Sequence, residues 1–188
     1  MKGIMNIRIV TDSTCDLPRD VLSKYKITVV PMYIHVGNNS FLDGVSLSRD
    51  EFYEHLPFYN PLPTTAAPNP EDFRKVFLNL VEEGADTIIS IHISEKLSTT
   101  LNSARAAAKD CNGVTIQVID SGQLSLGLGF LVEKAAQMAN TGYDVSEILS
   151  TLVDLMSRTY VFASLKTLDY LQRSGRMHSA VAKLGDML

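Results

Sequence analysis

The sequence contains no tryptophan and only two cysteines, Cys15 and Cys111, in 188 residues. The two cysteines are far apart and fit no metal-binding or redox spacing. We therefore expect two free thiols in a reducing compartment, which points to the cytoplasm. No apolar run reaches the length of a membrane-spanning helix. The opening stretch, "MKGIMNIRIVTD", leads directly into a strand-like run and lacks the apolar core of a signal peptide.

A strong charge of either sign is also missing. The formal net charge is −4, with 20% charged and 45% hydrophobic residues, which is ordinary for a globular protein. This balance gives no electrostatic footprint for nucleic acid or for an anionic membrane, so nucleic acid is not an expected partner. The length suits one large domain, or one domain and part of another.

The four histidines are scattered, and none stands at metal-ligand spacing from a cysteine or a carboxylate, so no metal site is predicted. His92 lies inside an apolar strand-like run, where a hydrogen-bonded core histidine is expected. No serine occurs in a Gly-x-Ser-x-Gly elbow. The "GLG" at 127–129 is not a dinucleotide fingerprint, so these glycines are expected to permit close packing.

Short β-branched runs alternate with helical patterns along the chain. The strand-like runs cover residues 7–10, 27–36, 86–94, 114–120 and 159–164, and residues 40–45 are expected to pair back as a hairpin. Within the run 27–36, Pro31 indicates an edge position or a bulge. Helix starts are expected at Asp16, Ser48 with Glu51, Asn69 with Pro70, near Ser98, and Asp144 with Glu147. Strands separated by helices predict an α/β fold with an open, mostly parallel sheet and flanking helices.

Parallel α/β sheets bind ligands beyond the carboxyl ends of their strands, near the point where the strand order reverses. Three hydroxyl-rich loops are expected there, namely "TDST" (11–14), "ISEKLSTT" (93–100) and "DSGQLS" (120–125). The proline-rich loop "PTTAAP" (63–68) is a fourth candidate. The sequence therefore predicts a ligand site rich in hydroxyl groups.

Ser98, Thr99 and Thr100 allow two compatible interpretations. Serine and threonine are preferred residues for capping the first turn of a helix. The same helix end offers unpaired N–H groups and a positive dipole end, which suit a carboxylate or a phosphate. Because three hydroxyls exceed what one cap needs, both roles can coexist here.

The stretch "TDSTCD" contains Asp12 and Asp16 and at first glance resembles a phosphotransfer aspartate loop. Asp12 and Asp16 do not have the spacing of a paired-aspartate motif, whose members stand two residues apart. Asp16 is expected in an Asx-type turn that caps the following helix. Ser13 and Thr14 fit a turn and a ligand contact equally well.

Five motifs follow one another along the chain, namely "DSTCDLP", "TTAAPNP", "ISEKLSTTLNSA", "VIDSGQLSLGLG" and "LDYLQRSGRM". In this order they resemble the DegV family of bacterial fatty-acid-binding proteins, whose characterised members are the acyl-carrying subunit of fatty acid kinase. The resemblance implies a protein that is not an enzyme and that holds one long-chain fatty acid in a buried tunnel, with no other cofactor. It also implies a kinase partner that converts the carboxylate to an acyl phosphate, and it allows transient membrane contact.

The resemblance further implies which residues form the site. Thr65 and Ser98 match the family residues that hold the fatty-acid carboxylate. Supporting contacts to the head group or its loops are expected from Ser13, Thr99, Ser121 and Arg176. Two neutral hydroxyl donors orient a carboxylate without neutralising it, so the carboxylate remains able to attack a phosphoryl group.

The chain departs from the family pattern at three places. Ala66 and Ala67 replace a serine and a glutamine, and Thr99 replaces a glycine. The sequence also stops at "LGDML", whereas family members run considerably further. Residues 1–158 are therefore expected to form an N-terminal α/β domain, and residues 159–188 the beginning of a second, incomplete α/β domain.

Two other functions stay open at this level. A small hydrolase or phosphotransfer enzyme would use the loops around Asp12 and Ser121. A truncated module without a ligand would keep only the fold.

Overall fold

The computed structural model describes residues 5–165 and 167–176. Within these residues the strands are β1 (Ile7–Asp12), β2 (Thr28–Val30), β3 (Tyr33–Val36), β4 (Asn39–Leu42), β5 (Thr64–Ala66), β6 (Thr87–His92) and β7 (Thr115–Asp120). The helices are α1 (Arg19–Lys24), α2 (Arg49–His55), α3 (Pro70–Glu82), α4 (Thr100–Lys109), α5 (Ser125–Asn140), α6 (Val145–Arg158) and α7 (Asp169–Arg173). Short 3-10 turns cover Ser13–Cys15 and Leu56–Phe58.

The central sheet has four parallel strands in the order β2-β1-β6-β7. Every residue of β6 is buried, as expected for a strand with helices on both faces of its sheet. A second, antiparallel sheet has the order β4-β3-β5 and contains the expected hairpin, in which Val36 pairs with Asn39. The prediction of an α/β fold with a mostly parallel sheet is confirmed.

Side chains alternate across the central sheet and form two apolar cores. Ile9 of β1 faces the core under α5 and α6, whereas its neighbour Val10 faces the core under α3 and α4. Phe73 and Phe77 of α3 are fully buried in the second core, with ring centroids 6.0 Å apart. Full burial of one such side chain stabilises the fold by about 1.5–3 kcal/mol, so both faces of the sheet contribute.

Two of the expected helix starts are reciprocal capping boxes. The Asn69 side chain accepts a hydrogen bond from the Asp72 N–H at 3.0 Å, and Asp72 accepts one from the Asn69 N–H at 3.0 Å. Asp144 and Glu147 exchange the same pair of bonds at the start of α6. At the start of α2, the Ser48 hydroxyl accepts from the N–H of Glu51 at 3.2 Å.

The expected cap at Asp16 is wrong. Helix α1 begins at Arg19, and the preceding residue, Pro18, makes no side-chain cap. Asp16 instead has a positive φ of 53° and forms an ion pair with Arg49. The attraction of the guanidinium therefore replaces the helix N–H groups as the partner of this carboxylate.

Two strand predictions also need correction. Residues 27–36 form two strands in different sheets, β2 and β3, with Pro31 between them. Proline has no N–H and cannot continue a strand ladder, which explains the break. Residues 159–164 form no strand, and their apolar side chains include Phe162, which is largely exposed.

The glycines of α5 permit close packing, as predicted. A Cβ atom on Gly129 would lie well under 3.0 Å from the carbonyl oxygen of Cys15. A Cβ on Gly127 would lie equally close to the side chain of Val161. The atom that a Cβ on Gly129 would meet belongs to the backbone and cannot rotate away. Helix α5 can therefore approach the turn after β1 only because residue 129 has no side chain.

Candidate functional site

The strand order reverses between β1 and β6, and their carboxyl ends lie side by side. The two strands are in register from Ile7 opposite Thr87 to Thr11 opposite Ile91. The turn at Ser13 therefore starts next to the loop at 93–99 that leads to α4. This is the position where ligands bind in open parallel sheets.

The carboxylate of Asp12 connects these two loops. One of its oxygens, Oδ1, accepts from the N–H of Thr14 at 3.1 Å and from the Thr14 hydroxyl at 2.5 Å. The other, Oδ2, accepts from the N–H of Ile93 at 3.1 Å and from Nδ1 of His92 at 2.9 Å. The Asp12 side chain is fully buried, so all of its hydrogen bonds are made within the protein.

These donors fix the charge state of Asp12. Burial alone would raise the pKa of Asp12, but the hydrogen bond and charge of His92, the Thr14 hydroxyl and the N–H of Ile93 together lower it below its usual value. The carboxylate is therefore ionised at neutral pH. It is a structural anion with its hydrogen-bonding capacity filled.

Behind Asp12, the His92 ring continues a buried chain of hydrogen bonds. Its Nε2 lies 2.6 Å from the hydroxyl of Ser90, and its edge packs against Phe73 with centroids 5.0 Å apart. Ser90, His92 and Asp12 are all fully buried. The order serine–histidine–aspartate is that of a hydrolase triad, but this serine hydroxyl has no exposed surface at which a substrate could react.

The expected core role of His92 is confirmed, but its pairing with Asp12 is not visible in the sequence pattern. The residues are 80 positions apart. The usable signal is topological, because Asp12 ends β1 and His92 ends β6. Two parallel strands that are neighbours bring such terminal residues together.

Ser13 lies directly after this aspartate and is buried. Its hydroxyl oxygen accepts from the N–H of Met32 at 3.0 Å, and its carbonyl accepts from Arg49. Met32 stands just before β3. The turn after β1 is thereby joined to the antiparallel sheet.

Ser98 is half-buried and lies two residues before α4, which begins at Thr100. The Ser98 hydroxyl accepts from the N–H of Thr100 at 3.3 Å and lies 2.8 Å from its hydroxyl oxygen. The formal cap is Thr99, whose side chain makes no cap bond. A helix start near Ser98 is thus correct within two residues, but Ser98 satisfies the N–H of the first helical residue from outside the cap position.

Thr100 links this region to the same methionine. Its hydroxyl donates to the sulfur of Met32 at 3.4 Å. Ser13 and Thr100 therefore contact Met32 from the segments that follow the two central strands, β1 and β6, and Ser98 contacts Thr100. Thr65 is exposed on β5 and pairs with Ile34 of β3, two residues beyond Met32.

The remaining supporting residues differ in their surroundings. Arg176 donates through Nε to the carbonyl of Leu97 at 3.3 Å, which brings it to the Ser98 loop. Ser121 is buried, and its hydroxyl accepts from the N–H of Gln123 at 3.0 Å, so it stabilises its own loop. Thr99 is exposed.

A cleft of about 600 Å³ opens beside the turn after β1. Its walls include Ser13, Cys15, Pro31 and Arg49. Burial raises the pKa of Cys15 to about 11, so this thiol is protonated and unreactive at neutral pH. Arg49 spans the cleft wall between Asp16 and Asp43, and its charge is therefore already paired.

Residues 5–165 and 167–176 contain neither a cluster of metal-binding side chains nor a helix suited to the membrane. No group of three or more histidine, cysteine or acidic side chains is arranged to hold a metal ion. No helix among these residues combines the length and apolar character needed to cross a membrane.

Comparison with known proteins agrees with the motif order. The model of the DegV family, described as an uncharacterised protein family, matches residues 6–188. The chain belongs to the DegV family. A DegV domain-containing protein of Caldanaerobacter subterraneus is 38% identical over 182 residues, which are 97% of this chain and 64% of that protein. A relative in Clostridium perfringens is 36% identical over 176 residues, 94% of this chain and 63% of the relative.

Solved DegV structures share the fold. A DegV family protein of Thermus thermophilus, described by its fatty acid binding, has 36% identity and a TM-score of 0.87 over 98% of this chain and 65% of its own. DegV of Bacillus subtilis, described as a fatty acid binding protein, has 29% identity and a TM-score of 0.86, covering 96% and 64%. This chain thus spans slightly less than two thirds of the length of these DegV proteins.

Proposed function

We propose that this chain binds a long-chain fatty acid and presents its carboxylate to a partner kinase, without catalysing a reaction itself. The supporting observation is the set of hydroxyl-bearing loops around Met32 at the switch point of a DegV fold. The proteins of Thermus thermophilus and Bacillus subtilis that share this fold are described as binding fatty acids. The kinase partner and a cytoplasmic location are part of the same proposal.

The carboxylate would be held by the hydroxyls of Ser98 and Thr65. Ser98 and Thr100 share one hydrogen bond in which either oxygen can be the donor. When Thr100 turns its proton from the sulfur of Met32 to Ser98, the Ser98 proton is released for a ligand oxygen. A rotation of two hydroxyls therefore prepares the site without moving the backbone, and Ser13, Thr99, Ser121 and Arg176 support the surrounding loops.

The acyl tail would supply most of the affinity, at about 0.8 kcal/mol for each buried CH₂ group. Hydroxyl donors add orientation and leave the carboxylate charged. This division of labour suits a carrier, because the head group stays reactive toward a phosphoryl donor while the tail is retained.

The burial of Asp12 supports a role without catalysis. A hydrolase or phosphotransfer enzyme built on Asp12 needs that carboxylate at a surface reached by substrate, and Asp12 is fully buried and engaged in four hydrogen bonds. Ser121 is buried as well and is bonded within its own loop.

The domain division is proposed in the same terms. Residues 1–158 would form the N-terminal α/β unit, a proposal supported by the presence of both sheets and of α1 to α6 within the described part of this range. Residues 159–188 would begin a second unit, of which the structure describes 159–165 and 167–176.

The first test is to denature the purified chain, extract it and identify fatty acids by mass spectrometry. About one fatty acid per chain is expected. Absence of fatty acid after purification, together with no uptake of added fatty acid, would refute the proposal.

The site is tested by the affinities of Thr65→Ala and Ser98→Ala for the extracted fatty acid. Each is expected to weaken binding by about 1–3 kcal/mol, the scale of a hydrogen bond to a charged group. Thr64→Ala is the matched control, because adjacent residues of a strand point to opposite faces. Equal affinities in all three variants would refute the site while leaving lipid binding intact.

A further inference from the structure

We infer that the buried pair Asp12 and His92 positions the Ser98 loop for carboxylate recognition, without either residue touching the ligand. This inference rests on the proposed function and adds positioning residues to its site. Its basis is the hydrogen-bond geometry that connects the ends of β1 and β6.

Asp12 is the only described side chain that bonds to the backbone of both loops at this edge, with Thr14 on one side and Ile93 on the other. The two bonds are to separate carboxylate oxygens. The carboxylate therefore fixes the distance between the loops as well as the direction of each.

Fixing Ile93 also fixes Ser98. The next residue, Ser94, donates its N–H to the carbonyl of Gln123 at 2.9 Å. Its own carbonyl accepts from the N–H groups of Leu97 and Ser98, at 2.9 and 3.2 Å. The loop is thus held by a series of hydrogen bonds that begins at Asp12 and ends at Ser98, the proposed ligand donor.

His92 holds the same carboxylate oxygen, Oδ2, that accepts from the N–H of Ile93. Its Nδ1 donates to Asp12 because a carboxylate can only accept, and Ser90 and Phe73 fix the plane of its ring. The backbone carbonyl of His92 accepts from the N–H of Ser121 at 3.1 Å. One residue therefore orients Asp12 and anchors the loop after β7.

Such a network is not needed for packing. A buried ion pair and its polar neighbours can often be replaced by apolar side chains of similar volume without loss of stability. A fully satisfied polar network does impose one geometry on the groups it joins. The position of this network, between the two loops of the proposed site, is the reason to assign it a role in recognition.

The test compares a fatty acid with the alcohol that carries the same tail, so that the head group alone differs. Affinities of the 188-residue chain are measured by displacement of a fluorescent fatty-acid analogue. Asp12→Asn is expected to weaken acid binding about tenfold and to leave alcohol binding unchanged, since loops displaced by small amounts lose oriented bonds first.

Two further variants keep the test decisive. Phe77→Leu lowers stability in the core that contains Phe73, the neighbour of His92, but changes neither loop. It should leave the preference for acid over alcohol unchanged. Ser90→Ala removes one support of His92 and provides a milder change if Asp12→Asn fails to fold. It is expected to reduce acid binding about threefold, again with no effect on the alcohol.

A double variant connects the pair to its target. If Asp12 acts through Ser98, adding Asp12→Asn to Ser98→Ala should cause little further loss of acid binding. Additive losses, or equal losses for acid and alcohol, overturn the inference. A native chain that prefers the acid, with Asp12→Asn and Ser90→Ala unchanged, overturns the inference alone, whereas a native chain that binds neither ligand overturns the proposed function and the inference together.

Discussion

The contact between α5 and the turn after β1 gives a prediction that does not depend on any ligand. In Gly129→Ala, the new Cβ would lie well under 3.0 Å from the Cys15 carbonyl and about 3.2–3.3 Å from the side chain of Leu17. Because the nearest atom belongs to the backbone, either the helix or the turn must move.

Two effects of opposite sign set the magnitude. Alanine is favoured over glycine in a helix interior by about 1 kcal/mol. Forcing an extra carbon into a close-packed site costs about 1–3 kcal/mol, and a backbone contact of this kind lies at the upper end. Gly129→Ala is therefore expected to lower the free energy of unfolding by about 1–2 kcal/mol, equivalent to a fall in Tm of about 2–8 °C.

Gly127→Ala in the same helix is the matched control. Its Cβ would meet the side chain of Val161, which is partly exposed and lies outside any helix or strand. That side chain can shift, so the free energy of unfolding should stay within about 1 kcal/mol of the original value.

Urea unfolding followed by circular dichroism measures both variants. The reasoning is refuted if Gly129→Ala is as stable as Gly127→Ala or more stable. A crystal structure of Gly129→Ala in which neither α5 nor the Cys15 carbonyl has moved would be equally damaging.

Three other predictions concern single groups. Asp12→Asn should lower the free energy of unfolding at pH 7 by about 3 kcal/mol, because it leaves donors without their buried anion. The pKa of Asp12 is lowered by folding, so its contribution is present above the unfolded value of 3.8 and is lost as the pH falls through the folded value. Urea unfolding should therefore show that the difference in free energy of unfolding between the native chain and Asp12→Asn becomes smaller in acid. A difference that stays constant with pH would contradict the lowered pKa of Asp12. Asn69→Ala should cost about 1 kcal/mol as a lost cap, while Thr99→Ala, whose side chain makes no cap bond, should change thermal stability by less than half as much. Cys15, buried with a pKa raised to about 11, should resist iodoacetamide at pH 8 until urea unfolds the chain, and rapid labelling of the native protein would show that the turn opens.

The sequence pattern was sufficient for the α/β fold class and for the helix starts that rest on local chemistry. Alternating strand and helix signals predict a parallel sheet, and Asn69 and Asp144 cap their helices through neighbours that the pattern already contains. The prediction that Asp16 caps the following helix was wrong for the opposite reason. Its partner is Arg49, 33 residues away, and no local pattern announces that charge.

Two strand errors have related causes. Residues 27–36 read as one run because β propensity is continuous across them, yet they serve two sheets and Pro31 marks the change. Residues 159–164 carry the composition of a strand but pair with none of the described strands. Propensity reports what a segment can form, and pairing decides whether it does.

The sequence predicted the loops of the candidate site but not the contacts that join them. The loops followed from the rule for parallel sheets, and the resemblance to the DegV family supplied Thr65 and Ser98, whose roles stay predictions. The connection through Met32 could not be predicted, because a methionine in an apolar run carries no sign that its N–H and sulfur join two sheets.

The separation between Asp12 and His92 also has a consequence for synthesis. At 5–20 residues per second, a ribosome needs about 4–16 s to add the 80 residues that separate them. During that interval β1 can pair with β2 along one edge, while its other edge has no partner and Asp12 lacks its donors at His92 and Ile93. The nascent chain therefore exposes an unpaired strand edge during those seconds, and the loops near Ser13 and Ser98 can meet only after β6 has emerged.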